Sequence, residues 1–228
     1  MAKKEFTEGP IYVAMTYFSW FVISNIYFLL LNILLIFFLL AIEVDLSNPT
    51  YYLMLFVAAL PVAPSFTALL SVMGKLVREG DINLTKDYFK AYKENFRQAF
   101  SIGALFTVLI VLLLVDIRII KASSLATFLL PIFYGCIFSI LLIALYAFPI
   151  VSRFYLKTKD VLKLSAFYII KRFKNTLLNI AGVAVVFIVA EYAPSIAFML
   201  FASIIAYIIM FNGKGILEEI EEKIISNE

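Results

Sequence analysis

Apolar positions in this chain fall in long unbroken runs, rather than in the three-and-four spacing of a half-buried helix or the alternation of a strand. The first run extends from about Trp20 to Ile42. At roughly 1.5 Å per residue it reaches about 35 Å, enough to cross a hydrocarbon core of ~30 Å with some tilt. It is too long for the apolar region of a cleaved signal peptide, and no small-residue cleavage pattern precedes Glu43. Five more runs follow, at about Tyr52 to Met73, Phe100 to Val115, Leu125 to Val151, Leu177 to Tyr192 and Ala193 to Phe211. The last two are separated only by Glu191 and the Tyr192-Ala193-Pro194 turn; proline suits a first helical turn and breaks a continuous helix. The pattern predicts an all-α membrane protein, a polytopic bundle of six transmembrane helices forming a single domain over residues 1–228.

Charge then orients the bundle. Seventeen of the 19 Lys and Arg residues lie in the N-terminal tail, in two loops (74–98 and 152–175) and after Lys214; only Arg118 and Lys121 lie on the other side. Positive-inside bias therefore predicts cytoplasmic N and C termini and two cytoplasmic loops in a multi-pass membrane protein.

The two basic loops share a tripeptide. Thr85-Lys86-Asp87 and Thr158-Lys159-Asp160 recur 73 residues apart, each before a basic, aromatic-bearing stretch that leads into a span. This fits a parallel duplication of hairpins as well as it fits coincidence, and it does not fit an inverted repeat. After Thr85 the order predicts an amphipathic cytoplasmic helix with Asp87 in its first turn. Phe89, Tyr92 and Phe96 fall at helical spacing, and Lys86, Lys90, Lys93 and Arg97 take the remaining surface. Such a helix lies on anionic headgroups, or it presents Tyr88, Phe89, Tyr92, Lys93, Asn95 and Phe96 as a docking face for a soluble partner. The stretch 160–174 is expected to run directly into the fifth span.

Inside the spans no Asp, Glu, Lys or Arg approaches the middle, which argues against ion-coupled transport. Neutral polar groups do occur: Asn25 and Asn32 seven apart in the first span, Ser65, Thr67 and Ser71 in the second, Ser139 in the fourth and Asn179 in the fifth. They serve either helix–helix hydrogen bonding or a solute path. Gly135 with Ser139, Ala99 with Gly103 and Ala202 with Ala206 offer close helix approach. Pro61 and Pro64 remove two backbone donors from the second span and predict a structural kink there. At the opposite side Glu43, Asp45, Asp116 and Glu191 sit at the outer ends of helices, where the helix dipole opposes them. They are either acids tolerated on the positive-poor face, with Arg118 near Asp116, or a rim that docks a cationic partner.

With no histidine and a single cysteine, Cys136, the chain lacks the means for His-based acid–base chemistry, His/Cys metal sites or internal disulfides. No nucleophile–base pair and no G-x-x-x-x-G-K-[ST] phosphate loop is visible; Gly213-Lys214-Gly215 is too short. The expectation is no catalytic residue, no cofactor, no metal and no nucleic-acid partner. From Gly215 onward Ile216, Leu217, Ile220 and Ile224 alternate with Glu218, Glu219, Glu221 and Glu222, an acidic amphipathic helix.

The stretches Leu60-Pro61-Val62-Ala63-Pro64-Ser65-Phe66-Thr67-Ala68-Leu69, Gly74-Lys75-Leu76-Val77-Arg78-Glu79-Gly80-Asp81 and Asp87-Tyr88-Phe89-Lys90-Ala91-Tyr92-Lys93-Glu94-Asn95-Phe96 resemble the YesL family of small bacterial integral membrane proteins. Ala147-Phe148-Pro149-Ile150 with Arg153-Phe154 resembles its second characteristic segment. The likeness covers most of the chain and fades after Asn175. Members tend to be encoded beside carbohydrate ABC importers of Gram-positive bacteria. The resemblance therefore implies an accessory membrane subunit whose partners are the bilayer, the importer's permease subunits and, through them, its ATPase and binding protein. The competing expectation is an oligomeric small-solute transporter or exporter with a path along Asn25, Asn32, Ser65 and Thr67.

Overall fold

The computed structural model describes residues 9–44, 48–121 and 123–226. These form nine α-helices and no strand: α1 (Pro10–Leu31), α2 (Ile33–Ala41), α3 (Pro49–Ala59), α4 (Val62–Glu79), α5 (Leu84–Ile120), α6 (Ala126–Val151), α7 (Thr158–Lys171), α8 (Phe173–Tyr192) and α9 (Pro194–Ile225). Six stretches are long and apolar enough to cross a membrane: Ile11–Leu31, Pro49–Glu79, Leu84–Ile120, Ala126–Val151, Phe173–Tyr192 and Pro194–Ile225. The chain is thus an all-helical, multi-pass integral membrane protein.

Several boundaries differ from the sequence reading. The first helix starts ten residues early, at Pro10, because proline at the first helical position needs no amide partner. It breaks at Asn32 (φ −108°, ψ 20°) before α2 continues the run. The second span is interrupted between Ala59 and Val62. Pro61 offers no N–H to the Val57 carbonyl, which instead accepts from Leu60 three residues on, at 3.4 Å. Pro64 falls in the first turn of α4. The amphipathic stretch after Leu84 is continuous with the third span in one 37-residue helix. The stretch that was to lead into the fifth span instead stops: α7 ends at Lys171, Arg172 leaves helical geometry (φ −114°, ψ 45°), and α8 begins at Phe173. The division between the last two spans falls at Ala193, with Pro194 opening α9. Despite Gly213 and Gly215, α9 runs on through the acidic tail to Ile225.

Helix α4 is the hub, packing on α1, α5, α6 and α9. Ala68, Leu69, Leu70 and Met73 are fully enclosed. Helices α4 and α5 come close at Gly103, where a Cβ would collide with that of Ala63; Gly74 gives similar room to Met210. At its end α4 turns through Gly80, the one residue with positive φ (74°) among those described; its amide caps the Leu76 carbonyl at 2.9 Å. The α2–α3 hairpin carries its own small core, in which Phe38, Tyr51 and Ala58 pack with Leu35, Ile42 and Leu55. This core is separate from the main one.

Candidate functional site

Two ends of the bundle and the buried polar groups between them carry the chemistry. At the end bearing the basic loops, both copies of Thr-Lys-Asp open a helix. Thr85 lies in the first turn of α5 and Thr158 begins α7, each with its Asp in the first turn, where a carboxylate suits the dipole. Asp87 accepts from the Asn83 amide at 3.0 Å and pairs with Lys75 at 2.9 Å, tying α5 to α4.

The face proposed for docking is divided by the structure. Tyr88 is fully buried and donates to the Ser65 carbonyl at 3.1 Å, so it belongs to the core and not to a contact surface. It lies inward because Leu84, Tyr88 and Ala91 share the stripe of α5 that meets the main core. Phe89 and Phe96 are exposed but packed on other rings, Phe89 tilted against Tyr27 at 5.1 Å and Phe96 edge-on to Tyr92 and stacked on Phe100. Lys93 is exposed; Tyr92 and Asn95 are half-buried.

Sequence reasoning missed how the acidic tail is held. Ile216, Leu217 and Ile220 are buried in the main core. On the polar side of this part of α9, Glu219 gathers Lys171, Arg172 (2.7 Å) and Lys223 (2.8 Å), and Glu221 pairs with Arg153. The three cations hold the Glu219 carboxyl well below the usual carboxylate range. Tyr168 lies beneath, its hydroxyl pushed up by burial and by Glu219, with the Lys171 and Lys223 ammonium groups over its ring. The alternating Ile/Glu pattern announced an amphipathic helix; the match of Glu219 to the Lys171-Arg172 pair at the α7–α8 break was the signal available.

At the other end Glu43, Asp116 and Glu191 are all exposed, and none makes an ion pair among the described residues, Asp116 with Arg118 included. Asp45 lies outside the described residues.

Between the ends the buried amides and hydroxyls tie helices together. The Asn25 side chain donates to the Phe198 carbonyl at 2.9 Å and accepts from the Ala202 amide at 3.0 Å. These are the carbonyl and amide at the two ends of one turn of α9, so a single side chain of α1 grips that turn at both of its backbone groups. Asn32, at the α1–α2 break, donates to the Ser65 hydroxyl and to the Phe28 carbonyl, each at 2.7 Å, and Ser65 donates to the Pro61 carbonyl. Its Oδ1 is buried without a partner among the described residues. Tyr146 and Thr176 join α6 to α8 at 2.7 Å, and Asn212 of α9 donates to Asn179 of α8 at 2.9 Å. The large clefts, by contrast, are apolar. One of about 490 Å³ opens between α6 and α8 over Phe66, Leu141, Val183 and Phe187. Another of about 430 Å³ lies between the α2–α3 hairpin and α5–α6, over Leu39, Ala63, Phe106 and Phe148.

Residues 21–117, from α1 through most of α5, match the profile of a family described as "Protein of unknown function, DUF624". The chain is also similar to "Uncharacterized protein YteU" of Bacillus subtilis (strain 168), with 26% identity over 177 residues, 75% of this chain and 78% of that protein. No solved structure matches.

Proposed function

We propose that this chain is a non-catalytic membrane subunit that associates with the permease subunits of a carbohydrate ABC importer and supports or modulates them in a bacterial plasma membrane, with both termini and the basic end in the cytoplasm. The observation that supports it is the use made of buried polarity. Asn25, Asn32, Ser65, Thr176 and Asn179 spend their hydrogen bonds on neighbouring helices, while the large clefts are lined by hydrocarbon. A solute path needs polar groups facing an aqueous lumen; here those groups hold the bundle together. That leaves the surfaces to carry the activity. The importer as partner rests on the resemblance of the α4 and α5 segments to the YesL family, and the basic end as the cytoplasmic one rests on the positive-inside rule.

The test is recovery of an affinity-tagged chain from its host in mild detergent, followed by quantitative mass spectrometry. Importer permease peptides are expected to co-purify in near-stoichiometric amount, and less of them with Glu43→Lys and Glu191→Lys combined. Solute flux through liposomes containing this chain alone would sink the proposal.

A further inference from the structure

The two helices that begin with Thr-Lys-Asp end up in different situations. In the first half of α5 the exposed rings pack on other rings, Phe89 on Tyr27 and Phe96 on Phe100, and part of the charge is already matched, Lys75 by Asp87 and Lys90 by Glu94. On α7 one ring is engaged in the same way, Phe167 packing edge-on against Tyr168 at 5.3 Å with the Lys171 and Lys223 ammonium groups over it, and the rest of the outward side is left open. Its Val161, Ser165 and Tyr168 form the buried stripe. On the opposite side Lys159, Lys163, Phe167 and Ile170 follow one another at helical spacing, all exposed. Ile170 is 81% exposed and Phe173, just past the Arg172 break, 67%. Lys159, Lys163 and Lys174 make no ion pair among the described residues, although Lys171 and Arg172 beside them are both held by Glu219.

We infer that the outward face of α7 and the α7–α8 break form a binding surface for anionic lipid headgroups of the leaflet at the basic end. Ile170 and Phe173 enter the acyl boundary, Phe167 lies at the headgroup level beside the Lys171 and Lys223 ammonium groups, and Lys159, Lys163 and Lys174 meet the phosphates. Two features select this occupant. The face is continuous with α8, a membrane span whose Leu177 and Leu178 are exposed directly beyond Phe173, so bilayer already surrounds the apolar end of the stripe. The unmatched charge on the face is net positive, Lys159, Lys163 and Lys174 against the single carboxylate of Asp160, and so complements an anionic leaflet; an apolar line fringed by lysine is the pattern of a helix lying in the interface. The inference is independent of the importer association: it concerns which lipids hold α7, and it requires neither a protein partner nor a choice of membrane side.

Two measurements on the full chain in proteoliposomes test it. Trp20 is the single tryptophan, so Trp20→Phe with Ile170→Trp places one reporter on the face. Lipids brominated near the glycerol end of the acyl chain are expected to quench it more strongly than aqueous iodide does. Iodide quenching without bromolipid quenching overturns the inference and assigns the face to a water-side partner. In the second, Lys159→Gln, Lys163→Gln and Lys174→Gln are combined, and the ratio of phosphatidylglycerol to phosphatidylethanolamine retained by the detergent-purified chain is measured. Each lysine near a charged leaflet is worth roughly a fivefold preference, so a fall of at least fivefold is expected. Combined Lys86→Gln and Lys93→Gln on α5 is expected to change the ratio less. An unchanged ratio in a monodisperse triple variant overturns it, because these lysines have no ion pair whose loss could unfold the chain.

Discussion

At the scale of single residues, the Asn25 amide gives a graded expectation. Asn25→Ala leaves Phe198 and Ala202 inside the continuous helix α9 and removes only the tie between helices, costing about 0.6 kcal/mol per bond, the average for such bonds in membranes. Asn25→Asp instead sets a carboxylate against the Phe198 carbonyl in a fully buried position, and the cost should be several-fold larger. Denaturation of the reconstituted protein checks the order; equal effects would show that the side chain does not tie α1 to α9. The two small-residue positions read alike in the sequence but not in space. Gly103→Ala drives a methyl into Ala63 and should cost about 1–3 kcal/mol. Gly135→Ala meets open space and should leave the melting temperature unchanged. Spacing identifies a small residue as able to admit a neighbour; it does not say whether a neighbour is there. Tyr88 makes the same point for aromatics. Periodicity places it on one face with Leu84 and Ala91, yet the direction of that face is set by α1 and α4, which no local pattern contains.

At the scale of elements, the C-terminal turns of α9 are held by apolar contacts on one side and by Glu219 and Glu221 on the other. Because the Glu219 carboxyl is depressed by its cations, its contribution is fully present above the ordinary glutamate value of about 4.3 and fades as pH falls below it. Between pH 8 and 5 amide exchange in 214–225 should therefore follow only intrinsic rates, and below about pH 4 protection should fall. Glu219→Gln should reproduce the loss of protection at pH 7, as should ~1 M salt in part, since the cluster is reached by solvent. Protection insensitive to all three would place the hold on Ile216, Leu217 and Ile220 alone. The spans themselves were legible, since only long apolar runs are stable in lipid. The breaks at Asn32 and Arg172 were not, because both residues are compatible with a helix interior. The early start at Pro10 was obscured by polar groups such as Thr16 and Ser19, whose hydroxyls turn back onto the Tyr12 and Met15 carbonyls.

At the scale of the whole molecule, stability is unevenly spread. The α2–α3 hairpin is bounded by two interruptions, at Asn32 and Pro61, and keeps a small core apart from the one around α4. It should open as a unit, with amide exchange in 33–59 faster than in 65–76 by at least an order of magnitude; uniform protection across both segments would rule that out. The link that does cross the molecule is the Asn25 amide. It belongs to the first of the six apolar spans described, and its two partners lie in the sixth, 173 and 177 residues later. Until α9 has been synthesised and inserted, that amide sits in lipid without its final company. The α1 end of the bundle is consequently closed only once α9 is in place, and a chain truncated before Pro194 leaves an unsatisfied amide on α1 facing lipid, the kind of polar flaw that distinguishes an unassembled membrane bundle from an assembled one.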